Sequence, residues 1–410
     1  MVQMLLRDRR RAGGAGEVDP ACALKLMRAS TELTSKGRFG DALGPLRDAL
    51  ELVQKLHELE ESTAAAREAA DRAPKVCLLT VLPEHMLASM VWPAERVVEG
   101  ICVGNSRLTQ ELLFAPRLRL SLDSLTGGRA HALGTTLARM CNLREVDLGG
   151  SRIGREGAEG LAGALVHVPN LRVLNLQGCS LGARGAQAIV PALPASLEAL
   201  DLSANEFGPQ GLEGLDPLPR RLTVLSVRDN QLGAMGAGIL APLLPKGLRH
   251  LDLGGNNIGA AGAEALGPHI PPTVEHLVLD QNRLGAGGAA ALGPHLPVVL
   301  ESLDVGFDEL GDEGGAILWA HLPPGLLTLD MRGNRLEGLG LPLGEPLPTT
   351  LKHLNLAGNH IKEKSVRRLA CHLPPALRQL VLRGNIIYGA DHGALEARLL
   401  ARTVPCTLTI

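Results

Sequence analysis

The chain has 410 residues, longer than one compact domain ordinarily needs, and suits either two or more units or one elongated array. Its 41 basic and 43 acidic residues leave a formal net charge of -2, which argues against a polyanion partner, whether nucleic acid or an anionic membrane surface. Hydrophobic residues make up 45% and aromatics only 2%, so a core has to be built from Leu, Val, Ile and Ala in uniform layers.

The opening "MVQMLLRDRRRAGGAGEVDP" places a short apolar patch before its charges, the reverse of a secretory signal, and the expectation is a flexible terminus over 1–18 with no export. No stretch approaches the roughly 18 uninterrupted apolar residues of a membrane helix. The seven cysteines (Cys22, Cys77, Cys102, Cys141, Cys179, Cys371, Cys406) are odd in number and contain no Cys-x-x-Cys pair. Reduced thiols in the cytoplasm or nucleus are the simpler reading.

From Asp19 to Ala73 the chain is rich in Ala, Glu, Lys and Arg and lacks asparagine, which predicts a separate helical unit over 19–114. Within 23–56, Leu26, Ala29, Leu33, Gly37, Phe39, Ala42, Leu46 and Ala49 fall at spacings that resemble one tetratricopeptide hairpin. An amphipathic hairpin capping the next unit accounts for the same pattern. "LPEHMLASMVWPAERVVEGICVGNSRL" opens a stretch, 82–118, that resembles an F-box through Leu82, Pro83, Leu87, Val97, Val98, Cys102 and Leu108. Trp92, Pro93, Ala94 and Glu95 replace the usual acidic-apolar linker, and a capping helical segment is the alternative. The F-box resemblance implies docking to a ubiquitin-ligase adaptor.

From 115 to 410 the chain repeats itself. The pattern Leu-x-x-Leu-x-Leu-x-x-Asn-x-Leu begins at Leu143, Leu171, Leu197, Leu222, Leu248, Val274, Leu300, Leu326, Leu351 and Leu377. A worn copy precedes it at Ala115, and Leu408 and Ile410 close the chain as a half copy. In "LRHLDLGGNNI", Leu248, Leu251, Leu253 and Ile258 are expected to point into one layer, with Arg249, His250, Asp252 and Gly254 outward. One layer cannot bury that face alone, but stacked neighbours can, at roughly 1.5 to 3 kcal/mol per buried leucine. Asn205, Asn230, Asn256, Asn282, Asn334, Asn359 and Asn385 form one column whose buried amides can tie the turns together. Ser151, Cys179 and Asp308 interrupt it, and a locally weaker ladder is expected there. Each unit closes with a helical half, expected to be short and to end or kink at Pro191, Pro242, Pro268 and Pro294.

This pattern resembles the leucine-rich repeat family, in its ribonuclease-inhibitor-like class. The resemblance implies an α/β solenoid: a horseshoe with a parallel concave sheet and short convex helices. The "LPxxLxxL" lead-ins also resemble the shorter repeats of bacterial effectors. The glycines of "LDLGGNNIGAA", Leu251 to Ala261, suggest a phosphate loop after a strand, but equivalent turns recur at Gly150, Gly178, Gly333, Gly358 and Gly384, too many for one ligand.

No nucleophile elbow, zinc-protease motif, phosphate-loop lysine or paired-cysteine spacing occurs, so no catalytic residue, metal or cofactor is assigned. His269, His295 and His321 recur every 26 residues, as do His250 and His276, and repetition explains both sets more simply than metal binding. The outward strand column (Asp147, Asn175, Asp201, Ser226, Asp252, Asp304, Asp330, Asn355) makes a partly acidic stripe flanked by Arg144, Arg172, Arg249 and Arg378. It is either a solvated face or a surface for a protein partner, the usual role of an extended solenoid face. With Arg144, Asp147, Arg172, Asp201, Arg249, His250, Asp252, Asp304 and Asp330 lining it, the anchors are Phe307, Arg228, Arg332 and Arg383, aromatic and arginine side chains dominating binding energy. The leading expectation is therefore a non-enzymatic scaffold binding protein, without nucleic acid, membrane or small-molecule substrate. The alternatives are an F-box substrate receptor and, by architecture alone, a Ran-type GTPase-activating protein.

Overall fold

In a computed structural model the structure is described for residues 117–119, 133–134, 136–137, 143–338, 347–387 and 406–409. The tetratricopeptide-like hairpin and, apart from Arg117 and Leu118, the F-box-like stretch lie outside these residues. The chain divides into two units, Met1–Met90 and Val91–Ile410, and the repeats belong to the second.

Strands and helices alternate in chain order: β1 (Arg117–Arg119), β2 (Glu145–Asp147), α1 (Gly154–Leu165), β3 (Val173–Asn175), α2 (Gly182–Ile189), β4 (Ala199–Asp201), β5 (Val224–Ser226) and α3 (Gly233–Leu240). They continue as β6 (His250–Asp252), α4 (Gly259–Leu266), β7 (His276–Val278), α5 (Gly285–Leu292), β8 (Ser302–Asp304), α6 (Gly311–Ala320), β9 (Thr328–Asp330), β10 (His353–Asn355), α7 (Glu363–His372), β11 (Gln379–Val381) and β12 (Thr407–Thr409). The described strands form one 12-stranded parallel sheet in sequence order, an α/β solenoid of strand and short helix. Each strand is only three residues long, and its central residue pairs with the same position in the next repeat, as Leu225 with Leu251 and Leu251 with Leu277. Register therefore equals repeat period, and a one-residue slip would turn every leucine outward.

The central leucines face the helices and the flanking residues face away. Leu248, Leu251, Leu253 and Ile258 are all buried, as are the ten residues that open the repeats. The helices are short because of proline. α2 to α5 pass into single 3-10 turns (Val190–Ala192, Ala241–Leu243, Gly267–His269, Gly293–His295), each with proline in its first positions, where a missing N–H costs nothing. Between β4 and β5 a 3-10 turn, Pro209–Leu212, replaces the helix. Gly259, at φ +65°, opens α4 in the left-handed region that glycine adopts freely, and its N–H donates to the Asn282 carbonyl one repeat on.

The asparagine column stitches these layers. The Asn256 Nδ2 donates to the carbonyls of Leu253 and Gly254 in its own turn, at 2.9 and 3.1 Å, and of Val227 in the preceding repeat, at 3.0 Å. Its Oδ1 accepts from the backbone N–H of Asn230 and Leu232 in that preceding repeat. Asn205, Asn230, Asn282, Asn334 and Asn359 bond in the same pattern. At Cys179 the thiol takes the amide's donor role toward the Leu148 carbonyl, 3.2 Å away, and burial pushes it up to about 12, so it stays protonated.

Leu251→Ala removes a fully buried side chain from a layer that neighbouring repeats cannot collapse, and should cost about 2 to 5 kcal/mol in denaturant unfolding. A loss well under 1 kcal/mol would contradict the register.

Candidate functional site

The outward face of the sheet carries two side-chain columns. The third strand position holds the predicted acidic stripe, but its carboxylates are largely committed to the fold. Asp147, Asp201, Asp252, Asp304 and Asp330 each accept, through Oδ1, the backbone N–H two residues on, at 2.9 to 3.0 Å. These are Asx turns, which bend the chain out of the strand. Asn175 and Asn355 make the same bond.

Just past the strands lies a charge cluster centred on a residue outside the expected set, Asp280. Its side chain is 1% exposed, and Arg228, two repeats earlier, grips both carboxylate oxygens at 2.7 and 2.9 Å. From two repeats later Arg332 reaches the same carboxylate at 3.5 Å, while bonding Asp330 at 2.7 Å and Asp304 at 3.5 Å. The intervening turns make this reach possible. A Cβ on Gly254 would run into both the Arg228 guanidinium and Asp280, and one on Gly306 would meet the Arg332 side chain. Burial pushes Asp280 up, but the Arg228 and Gln281 hydrogen bonds and both guanidiniums outweigh it, and its carboxyl ends below the ordinary range. The Asp280 hydrogen bond in turn raises Arg228. Asp304 goes the other way: burial, with Asp330 and Asp280 nearby, lifts it to about 6 against the Gly306 N–H and Arg332.

Phe307 sits in the turn after β8 at φ +57°, 50% exposed. The equivalent position is glycine at 150, 178, 255, 333, 358 and 384 and Ala204, Asp229 and Gln281 in the other described repeats, all with positive φ. The ring occupies space that a Cβ on Gly333 would need, and the Arg332 guanidinium lies 5.6 Å from its centroid.

Over β3 to β6 the face opens into a depression of about 440 Å³. Its floor is formed by the first strand positions, Val173, Ala199 and Val224, and its polar wall by Asn175, Asp201, Ser226, Asp252 and Arg228. His250 bounds it, its ring 5.7 Å from that of His276; burial, with His276 beside it, lowers His250 despite Asp252. His269 and His321 instead close helix ends, each donating Nδ1–H to the carbonyl four residues back.

Among the other expected residues, Arg249 pairs with Glu275 at 2.8 Å and Arg172 with Glu198 at 3.4 Å, both largely exposed. Arg144 and Arg383 are exposed. Arg228 and Arg332, expected as anchors, are engaged by the Asp280 cluster. No group of three or more His, Cys, Asp or Glu side chains that could hold a metal ion occurs among the described residues. No described helix is long and apolar enough to cross a membrane.

The family model described as leucine-rich repeat matches residues 139–162, 167–190, 194–215, 248–267 and 348–370, in phase with the strands, turns and helices above. The chain carries leucine-rich repeats. Structurally the same leucine-rich repeat unit continues through β5 and through β7 to β9, between the matched segments. Solved structures similar to the chain include a leucine-rich repeat protein of Leptospira interrogans, LIC12759, at 16% identity and a TM-score of 0.42, covering 74% of this chain and 92% of that one. Another is the leucine-rich repeat-containing protein LegL7 from Legionella pneumophila, at 17% identity and a TM-score of 0.41, covering 76% of this chain and 96% of that one. None of the curated proteins matches the chain.

Asp280 had a signal in the leucine-rich repeats themselves: one position reads Arg228, Gly254, Asp280, Gly306, Arg332, charge alternating with glycine at a spacing of 26 residues. Arg228→Ala leaves the buried carboxylate with the Gln281 hydrogen bond at 3.1 Å and the longer Arg332 contact. It should cost about 3 kcal/mol at neutral pH, the low end for breaking a buried pair because Arg228 is partly exposed. Since the folded Asp280 lies below its ordinary value near 3.8, the pair's contribution is present above that value and lost as pH falls through the lowered one. The difference between wild type and Arg228→Ala, read by denaturant melts, should therefore shrink on acidification below pH 3.8.

Proposed function

We propose that the outward sheet face is a protein-recognition surface, with Phe307 as an anchor, and that the protein works as a binding scaffold rather than by covalent chemistry. The observation that carries this reading is Phe307 itself. A bulky residue held in the left-handed region costs of order 1 to 3 kcal/mol; the same turn is built with glycine in six described repeats and with Ala204, Asp229 and Gln281 in three, so Phe307 is the one large apolar side chain at this position. The fold gains little from the exposed half of the ring, whereas aromatic and arginine side chains are enriched at protein–protein interfaces.

The Asp280 cluster supports the reading in a second way. It fixes Arg332 beside the ring, so the anchor is ordered before a partner arrives and less entropy is lost on binding. The depression over β3 to β6, with an aliphatic floor and a polar wall, offers a second point of engagement on the same face.

The F-box-like motif from Leu82 to Leu108 favours a narrower version, in which the repeats hold a ubiquitin-ligase substrate. Direct adaptor binding that is lost on changing Leu82 and Pro83 supports that version, and purified protein that binds no adaptor rejects it.

Affinity purification with the full chain as bait, followed by mass spectrometry and direct binding, tests the main proposal. Phe307→Gly should weaken the partner by about 2 kcal/mol, roughly 30-fold, while leaving stability unchanged or about 1 kcal/mol higher. Glu264→Ala, on the exposed side of α4, should leave binding unchanged. Equal affinities for wild type and Phe307→Gly would reject the assignment of the anchor.

A further inference from the structure

The residue after Phe307 is the one described position where the amide column holds a carboxyl. Asp308 is fully buried. Its Oδ1 keeps the acceptor half of the pattern, taking the Asn282 backbone N–H at 2.7 Å. Its Oδ2 has no hydrogen-bond partner. By the register of the repeat, Oδ2 stands where the asparagines place Nδ2, which donates to one carbonyl of the preceding repeat and two of its own turn. For Asn282 these are Leu253, Leu279 and Asp280, and for Asn334 they are Val305, Met331 and Arg332. The corresponding carbonyls at Asp308 are those of Leu279, Val305 and Gly306. Carbonyl oxygens accept and cannot donate, so an ionised Oδ2 would be a buried charge surrounded by acceptors. A proton on that oxygen turns it into a donor and restores one of the amide's bonds to those carbonyls.

We propose that Asp308 is a neutral carboxylic acid in the folded protein, that its proton completes the ladder in the repeat bearing Phe307, and that this repeat loosens as the proton is lost. The charged groups around it agree. Asp280, in the turn after β7, and Asp304, on β8, are both carboxylates that oppose a further negative charge. Arg332, the nearby cation, is taken up by Asp330, Asp304 and Asp280. Burial is the largest influence, and with these neighbours it carries the carboxyl up to about 8, against the backbone N–H bonds from Asn282 and Leu284.

The folded value lies above the ordinary 3.8, so between about pH 4 and 8 the native state holds a proton that the unfolded chain has released. Stability falls through that window by up to about tenfold in the folding equilibrium per pH unit, and levels off above 8. Asp304 acts in the same direction only up to about pH 6, and His250, lowered by burial, acts in the opposite direction up to its ordinary 6.5, so a comparison with a variant that lacks only the Asp308 carboxyl isolates its share.

Asp308→Asn supplies the missing donor without charge and should fold at least as well as the wild type. Denaturant unfolding of both full chains at pH 6 and pH 8 measures the ratio of their folding constants. The wild type should lose roughly 50-fold relative to Asp308→Asn across that interval. A ratio that stays constant overturns the proposal. The difference infrared spectrum, wild type minus Asp308→Asn at pH 7, provides an independent readout. It should contain the carbonyl band of a protonated carboxyl, fading above pH 8. Its absence at pH 7 would overturn the proposal even if the variant were more stable.

Discussion

The asparagine column is the interaction on which the rest of the structure depends. Strands of three residues make too few ladder bonds to hold a sheet together, and each turn between strand and helix exposes backbone groups to a leucine-filled interior. One amide per repeat satisfies carbonyls in its own turn and in the preceding repeat while accepting N–H groups from that same neighbour. Each such bond contributes about 1 kcal/mol net, but an orphaned buried partner costs more, so the column enforces the turn as much as it stabilises it. The leucine layers then stack in a fixed register, and the outward side chains follow as columns.

That inheritance explains why the outward face is less free than its composition suggests. Its aspartates look like an acidic stripe offered to solvent, yet each spends an oxygen on its own Asx turn. Arg228 and Arg332 are likewise held by Asp280, through turns whose glycines leave room for them. What stands out from this ordered background is a half-exposed phenylalanine in a conformation suited to glycine. The same turn position is glycine in six described repeats and Ala204, Asp229, Gln281 or Phe307 in the other four, and only at Phe307 does it carry a large apolar side chain.

The departures fall together. Phe307 occupies a turn that glycine fills six times, Asp308 occupies the amide column, and Gly306 clears the path of Arg332. Two consecutive residues of one repeat, Phe307 and Asp308, therefore differ in chemistry from the consensus of their columns, while Val305 and Leu310 on either side remain buried in the common core.

The sequence by itself determined the period, the strand register, the buried leucines, the short proline-limited helices and the amide column, because each repeat states the same local pattern and its copies have to align. Leu251, Asn256 and Pro268 could be placed from spacing alone. The Asp280 cluster and the depression over β3 to β6 were decided by tertiary structure. The cluster joins side chains 52 residues apart, and whether a guanidinium reaches across an intervening repeat depends on what the glycine between them leaves empty. The state of Asp308 is of the same kind: a one-letter change from asparagine is visible in the sequence, but that its second oxygen is buried with no donor to meet it is a property of the packed solenoid.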